Sequence, residues 1–595
     1  MNPHATSTSE HRSSLQWWLG ALTFVAALVF GALGLWRYEQ WQYEHAYGHE
    51  PDAVSIAYHT LQLFILHAPH LEGHVPWQLH VGRLLAAGLF FVAAGKAFVK
   101  IFRDELRLLR LWRPGQRGHL VVCGLGDLGL RLALEGRQRG FVVAIDQDPA
   151  PSALEQARRK GVLVLKGDAR DPAQLRLARL GRAEFLVAVC GQDDTNVAIA
   201  TLASQFAPRD QERSRPLVCR LLLHDRRLLR TLMSDEGIFN IGQNYRVNFG
   251  DLDLTDTAAR QAFRRHPLDF KPIGKNDDTL VHLVVIGFGQ IGQSMALHAA
   301  RIGHFANEVG RDQKRLRITV VDDQRQEWNG FASQYPNLSE VCDADFAQHD
   351  LNEAGFVAAM AALCPQTDDY TALVTYVICV EHNDQTNLRL GLELSKQVAN
   401  RTAQVLIHQT SRNGFTTLFP ATGRLARQSQ RTHVFGMKED VFNWDVLLHE
   451  SEDKLAEALH QDYQEKRAAE NVQDNPGWKD LSEGFKESNR QAAAHIRVKL
   501  RALGYHDEPL TKEKVSIDRF EDNEVLLLGK LEHVRWCAER WLAGWTYGPD
   551  TDRSNKISSS LAPWEQLPPD MQRRDLEQIR AIPKVLARIG RGIYR

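Results

Sequence analysis

Residues His119 to Asp148 read HLVVCGLGDLGLRLALEGRQRGFVVAIDQD. An apolar strand runs into Gly124-x-Gly126-x-x-Gly129, then a helical stretch, then a second apolar strand ending at Asp146. The first glycine permits a tight turn, the second lets backbone approach a pyrophosphate, and the third lets helix pack on strand. The helix N-terminus offers free N–H groups and partial positive charge to phosphates. Asp146 lies 22 residues beyond Gly124, where a carboxylate can accept from ribose hydroxyls.

The whole arrangement recurs. HLVVIGFGQIGQSMALHAARIGHF, starting at His282, carries Gly287, Gly289 and Gly292, a displacement of 287−124=163 residues. After a charged insertion near 305–316, LRITVVDDQ ends a strand at Asp322. Further matches place Asp168 of LKGDARD against Asp345 of CDADFAQHD. Asp193-x-x-Asn196 likewise matches Asp384-x-x-Asn387, each after an apolar strand. Ligands of open α/β sheets lie at the carboxyl ends of strands. All these residues are therefore candidates to converge on one nucleotide per copy. The alternative is two Rossmann-like folds with empty pockets.

The pattern resembles the TrkA N-terminal family, the domains that regulate conductance of potassium (RCK type), over roughly 118–245 and 280–435. The resemblance assigns nucleotide contacts to Gly124, Gly126, Gly129, Asp146, Asp168, Asp193 and Asn196. In the second copy it assigns them to Gly287, Gly289, Gly292, Asp322, Asp345, Asp384 and Asn387. It implies NAD(H) or ATP/ADP as a regulatory ligand rather than a substrate, and assembly as a homo-oligomer, dimer or tetramer. The second copy departs in having Ala344 where the first has Gly167.

After about residue 440, charged helical patterns replace alternating strands and helices, and another repeat appears. Trp478, Leu481, Asn489, Ile496, Leu500 and Gly504 align without a gap on Trp564, Leu567, Asp575, Ile582, Leu586 and Gly590, displaced by 564−478=86. Upstream, His460-x-x-Tyr463 echoes His533-x-x-Trp536. Only the second copy carries ERWLAGWTYGPDTDRSNK, Glu539 to Lys556. Its spacing W-x-x-x-R-x-x-x-G-W-x-Y-G closely resembles the RyR domain, the repeat of ryanodine receptors. Trp536 and Arg540 share a helix face, and aromatic faces beside Arg540, Arg553 and Lys556 could stack a base and hold a phosphate. The bland alternative makes the tryptophans core. A core requirement common to both units should appear in both, so Trp478 and Trp564 are expected to be structural. Trp536, Arg540, Trp545, Tyr547, Arg553 and Lys556 are the candidates for ligand binding.

The N-terminal end is apolar. Leu15 to Trp36 is an uncharged run of 22 residues, long enough to cross a bilayer core of about 30 Å as a helix. A second run spans roughly 81–102, with Arg83 and Lys96 near its ends. Arg103, Arg107, Arg110, Arg113 and Arg117 follow it, whereas the loop between the runs is acidic. The positive-inside rule then places the N-terminus and the large C-terminal part in the cytoplasm, across a bacterial inner membrane. The short apolar segment Leu61 to Leu66, read as stopped by Pro69, cannot span. Two crossings around a short apolar segment resemble the pore unit of a potassium channel, but no TVGYG filter is present. His67, His70 and His74 are read as a solvated loop rather than a metal site, because Pro69 and Gly73 break any shared face.

The bulk composition limits the rest. With 595 residues, several domains are expected. Lys+Arg 72 against Asp+Glu 73 recommends no nucleic-acid partner. Seven cysteines without CxxC spacing indicate neither a zinc site nor a disulfide framework. No GxSxG or HExxH occurs, and no substrate domain for an oxidoreductase is recognisable, although His382 and His408 lie near strand ends. The expected organisation is membrane-anchored α/β. It comprises a membrane region (1–114), two tandem Rossmann-like domains with parallel sheets (115–270 and 276–440), a degenerate RyR-like unit (441–512) and an all-α RyR module (513–595). The expected function is a nucleotide-sensing ion channel or potassium-transport regulator; the alternatives are a membrane receptor or scaffold without its own pore, and an NAD-dependent oxidoreductase.

Overall fold

The computed structural model describes the chain except residues 1–4, 46–49, 68–70, 72, 114–116, 207–216, 225–246, 311–312, 366–371, 412–430, 448–452, 471–474, 479–480, 482 and 512. Pro69 and His70 therefore lie outside the described residues. Two compact units result, Met1–Pro114 and Gly115–Arg595.

In the first unit, Trp18–His45 and Trp77–Phe98 are long and apolar enough to cross a membrane. Each extends differently from the expected 15–36 and 81–102. The helix Ala5–His45 runs well past Trp36, and the second helix starts at Trp77, directly after Pro76. The two pack on each other through small residues. A Cβ on Gly34 would strike the Leu79 backbone, and one on Gly82 would meet Gly31 N at 2.6 Å; such stripes let apolar helices approach closely. Between them, Ala53–Gln62 forms a short helix capped by Asp52, which accepts from Ser55 N. A single 3-10 turn, Leu63–Ile65, continues it and ends where Leu66 turns left-handed. The arginine-bearing helix is Arg103–Leu111, separated from the second long helix by a break at Phe102. It is thus not one rigid rod with the helix that starts at Trp77.

Among the described residues, the second unit holds two six-stranded sheets, parallel throughout. The first contains β1 (His119–Cys123), β2 (Val142–Asp146), β3 (Leu163–Lys166), β4 (Ala183–Ala188), β5 (Leu217–Leu221) and β6 (Val247–Asp251), in spatial order 3-2-1-4-5-6. The second contains β7 (Leu280–Ile286), β8 (Arg317–Asp322), β9 (Asp343–Gln348), β10 (Ala372–Ile378), β11 (Ala403–His408) and β12 (Thr432–Phe435), in order 9-8-7-10-11-12. Both orders are the doubly wound dinucleotide-binding order. Strands β1 and β10 show why their sequences are mostly apolar. Both lie centrally, and β1 is buried along its whole length, as expected for a parallel sheet covered on both faces.

Packing crosses the expected boundaries 115–270 and 276–440. The helix Leu254–Arg265, which follows β6, buries Ala258, Ala259, Ala262 and Phe263 in the core of the second sheet. Conversely, the segment after β12 buries Phe442 and Trp444 in the core of the first. Trp444 meets Phe185 edge-on at 5.4 Å and fills the space left by the missing Cβ of Gly136.

The described C-terminal region contains four long helices, Lys454–Ala469, Glu483–Ala502, Asp522–Leu542 and Pro569–Arg588. The internal repeat is visible in its contacts. His460 Nε2 lies 2.9 Å from Pro476 O, two residues before Trp478, and His533 Nε2 lies 2.8 Å from Ala562 O, two before Trp564. The last helix of each repeat ends at a left-handed glycine, Gly504 (φ 72°) and Gly590 (φ 73°), a conformation glycine adopts without penalty. A strand follows each, His506–Pro509 and Arg591–Tyr594, and these pair antiparallel. The module is therefore not purely helical, and both repeats share one core, from Ala456 and Trp478 to Val585 and Ile593.

Candidate functional site

The first glycine loop is shaped by two steric facts. Gly124 has φ +95°, and a Cβ there would lie 2.8 Å from Val189 O. A Cβ on Gly129 would strike the carbonyl oxygen of Gly124. A Cβ on Gly126, by contrast, would meet nothing within 4 Å, and this residue begins the helix Asp127–Arg139. The loop thus leaves an open cradle in front of unsatisfied helix N–H groups, where an anion is favoured. Asp146 closes one side: its Oδ2 accepts from Leu125 N at 2.5 Å and its Oδ1 from Asp148 N at 2.9 Å. Those bonds fix the carboxylate at the end of β2 and leave lone pairs for ribose hydroxyls.

Asp168 follows β3 and is gripped by Arg170 through both carboxylate oxygens, at 2.8–3.1 Å. That hydrogen bonding holds Asp168 below the usual carboxylate range. Burial, reinforced by Asp146 and Asp168, pushes the Cys190 thiol up to about 11, so the thiol is neutral at physiological pH. Arg170 is an exposed cation at the mouth that the glycine pattern did not single out; its signal was the Arg two residues after Asp168. Lys438 also reaches this copy from the segment after β12, with its Nζ 3.1 Å from Asp127 at the start of the helix Asp127–Arg139.

The Asp-x-x-Asn residues do different work from that expected. Asn196 is fully buried. Its side chain accepts from Cys190 N and donates to Cys190 O and Leu222 O. Asn387 is equally buried and bonds Val380 N and O. Both are spent stapling strand ends, so neither amide donor faces a ligand. Asp193 accepts from His224 N at 3.0 Å, and Asp384 accepts from the Thr410 amide and hydroxyl. These carboxylates tie the loops after neighbouring strands together.

The second copy repeats the frame. Gly287 has φ +90°, and a Cβ on Gly292 would strike Gly287 O. Asp322 accepts from Phe288 N at 2.6 Å and from Gln324 N at 3.0 Å. Two features differ. First, strand register corrects the match of Asp345 to Asp168. Lys166 pairs with Asp146, whereas Gln348 pairs with Asp322. Asp350, two residues beyond its strand, is thus the counterpart of Asp168, and His349 rather than Ala344 replaces Gly167. Asp350 Oδ1 accepts from Asn352 N as Asp168 Oδ1 accepts from Arg170 N. Asp345 itself lies inside edge strand β9, exposed and beside Arg317. Secondly, a Cβ on Gly289 would run into the Glu381 carboxylate. Glu381 and His382 occupy the loop where the first copy has exposed Gly191. His382 turns left-handed there, at φ 55°. An acidic side chain thus lies over the second cradle.

In the C-terminal module the six recognition candidates form two groups. The Arg540 guanidinium lies 5.4 Å from the ring centroids of both Trp536 and Trp545. The cation itself therefore occupies the aromatic slot expected for a base. Lys556 Nζ bonds Ala543 O at 3.1 Å, near the end of the helix, while Tyr547 and Arg553 are exposed. Trp478 and Trp564 are buried beside His460 and His533, in keeping with a structural role. The loop is also docked on the second fold, since Asn337 Nδ2 donates to Trp545 O at 3.0 Å. Behind it lies a buried ionic chain: Lys499 Nζ to Glu532 at 2.6 Å, and Glu532 to Arg535 at 2.9 Å. Burial opposes the charge on Glu532, but Arg535 and Lys499 carry it down to about 2. Among the described residues, no group of three His, Cys, Asp or Glu could hold a metal.

Tandem doubly wound sheets with glycine cradles at their strand ends define a protein of the dinucleotide-fold class. The TrkA-N family model matches residues 120–218 and the RyR family model residues 505–595. The chain thus contains a TrkA-N domain and a C-terminal RyR domain. The RyR match begins before the expected boundary at 513, because the strand His506–Pro509 pairs with the strand Arg591–Tyr594.

Among solved structures, this chain is similar to the GsuK channel bound to NAD, at 12% identity over 87% of this chain and 91% of that one, with a TM-score of 0.34. It is also similar to GsuK bound to ADP, at 15% identity over 73% and 98% of the two chains, TM-score 0.34. A third is the human SLO3 gating ring, at 11% identity over 55% and 81%, TM-score 0.34. No curated protein matches the chain significantly.

Proposed function

We propose that this chain is a membrane-anchored nucleotide sensor that regulates ion conductance, of potassium in the first instance. The first TrkA-N fold binds NAD(H) or an adenine nucleotide as a regulatory ligand. The observation that carries this reading is the open cradle at Gly126 with Asp146 fixed beside it. The two long apolar helices anchor the chain in the bilayer, with both ends cytoplasmic, and homo-oligomers build or gate the pore. The RyR module takes a second ligand once Arg540 leaves the slot between Trp536 and Trp545. No turnover is assigned: His408 is half-buried and desolvation lowers it to about 4, and His382 is splayed into solvent.

Regulation requires that nucleotide bind two states of the protein unequally. The test is ion flux from liposomes containing the pure protein, with NAD, NADH, ATP or ADP added. Nucleotide-dependent flux that disappears in Asp146→Ala supports the proposal. Nucleotide binding without flux would assign the chain instead to a receptor acting on a partner channel. Absence of binding by wild type would overturn the sensor reading.

A further inference from the structure

A cavity of about 970 Å³ lies within the second unit, and its lining includes no residue of either glycine loop. Its size is that of a small-molecule site. Three parts of the chain wall it: the helix Leu254–Arg265 after β6, the helix Gln290–Ile302 of the second fold, and the C-terminal helix Glu483–Ala502.

The charges on these walls are largely held by one another. Arg301 bonds Glu487 at 3.1 Å, Arg490 bonds Asp453 at 2.7 Å and Arg501 bonds Asp269 at 2.6 Å. Arg260 pairs with Asp256, and Arg497 is held by Asp507. A charged ligand would have to break one of these partly desolvated pairs, which is costly. An uncharged ligand leaves them intact. Apolar side chains, Phe263, Leu268, Phe305 and Val498 among them, supply the rest of the surface.

His298 stands apart from that network. It lines the cavity and is only 4% exposed. Its ring lies nearly parallel to that of Phe263, with centroids 6.0 Å apart and planes 11° apart. Burial lowers its pKa to about 4. It is therefore a neutral imidazole at physiological pH, with one ring nitrogen donating and the other accepting. Among the described residues, neither nitrogen makes a hydrogen bond. The buried His495 differs, since its Nε2 lies 2.9 Å from His304 O. A polar group left unpaired inside a protein is costly, and a ligand that pairs it gains the difference.

We propose that the cavity binds an uncharged phenolic small molecule, its ring against Phe263 and the apolar wall and its hydroxyl bonded to His298. A hydroxyl both donates and accepts, so it satisfies either imidazole tautomer. A phenol also carries no charge at neutral pH. Its ring face suits an aromatic neighbour such as Phe263. The ligand would touch the helix after β6, the second fold and the C-terminal module together, and so favours the state of the chain that keeps them packed. The site is separate from the Gly126 cradle and does not depend on nucleotide binding there.

The probe is 4-hydroxyacetanilide, a neutral, water-soluble phenol, titrated by calorimetry into the full-length chain in detergent, with a detergent-only blank. Acetanilide, which lacks the phenolic hydroxyl, is the comparison. Saturable binding of the phenol is expected, about tenfold tighter than acetanilide, from one hydrogen bond to a buried group. In His298→Phe that advantage should disappear, and the two probes should bind alike. His298→Gln retains a donor and an acceptor and should retain most of the advantage; His298→Leu replaces the Phe variant if that fails to fold. Asp146→Ala should leave phenol binding unchanged. No binding at millimolar 4-hydroxyacetanilide would overturn the proposal. So would a hydroxyl advantage that survives in His298→Phe or His298→Leu, binding abolished by Asp146→Ala, or tighter binding of the charged 4-hydroxybenzoate than of the neutral phenol.

Discussion

The two nucleotide folds share strand order, glycine geometry and a carboxylate locked onto the glycine loop, yet their mouths differ. In the first, Gly126 and Gly191 leave the cradle uncovered, and Arg170 and Lys438 stand nearby. In the second, the chain gains a residue in that loop and Glu381 lies across Gly289. The fold tolerates either, because the steric needs of the strand–turn–helix are met by Gly124 and Gly129, or Gly287 and Gly292. Binding does not, because a carboxylate in front of a helix N-terminus competes with a phosphate for the same N–H groups. A shared scaffold is therefore a weak guide to a shared ligand.

The largest effect should fall equally on both copies. Gly129→Val and Gly292→Val each force a side chain into a backbone carbonyl, and each should destabilise its sheet by about 3 kcal/mol, measured by urea denaturation. A variant with wild-type stability would break the claim that the two frames are equivalent. The next effect should separate the copies. Asp146→Ala should weaken NAD or ATP binding about a hundredfold, from two lost hydrogen bonds to a charged group, whereas Asp322→Ala should leave calorimetric affinity unchanged. Equal losses would mean that both cradles are filled.

Glu381→Gly should then sharpen the difference. Uncovering the second cradle is expected to raise the measured stoichiometry from one nucleotide per chain toward two, with affinity gained by about tenfold at that site. An unchanged stoichiometry would show that Glu381 is not the barrier.

The C-terminal repeats offer the same comparison on a smaller scale. Both histidines bond a carbonyl, but only the second repeat has a carboxylate, Asp575, where the first has Asn489. Burial disfavours the His533 cation, yet Asp575, Cys537 and the Ala562 carbonyl raise it to about 10. A raised folded pKa stabilises fully below the unfolded value near 6.5 and is lost as pH rises toward 10. His533→Gln should remove a pH-dependent stability of about 1–2 kcal/mol over that window, read from melting temperatures at pH 6 and 9.5.

Much of the architecture is legible in the amino-acid order alone. Glycine spacing, apolar strands and the 163-residue displacement define the paired sheets, and the two long apolar runs define the long helices. The His and Trp spacing exposes the C-terminal duplication and separates buried Trp478 and Trp564 from the loop carrying Tyr547. These features are local: each is set by backbone sterics or by the period of apolar residues within one element, so neighbouring residues in sequence suffice to read them.

Other features depend on partners far along the chain. Motif matching alone aligns Asp345 with Asp168, but strand pairing assigns that place to Asp350. The same motif view aims Asn196 and Asn387 at a ligand, although polar groups buried at strand ends must satisfy adjacent backbone first. Arg540 reads as one wall of a stacking site and is instead the occupant between two indoles. The exchange of Phe263 and Trp444 between sheets has no local signature at all. Torsional preference and hydrophobic period act over a few residues, and so the order of amino acids suffices to settle which elements form. Hydrogen bonding and charge pairing are settled among residues that meet only after the chain has folded, and so which side chains face a ligand, and which are consumed by the fold, is decided in three dimensions.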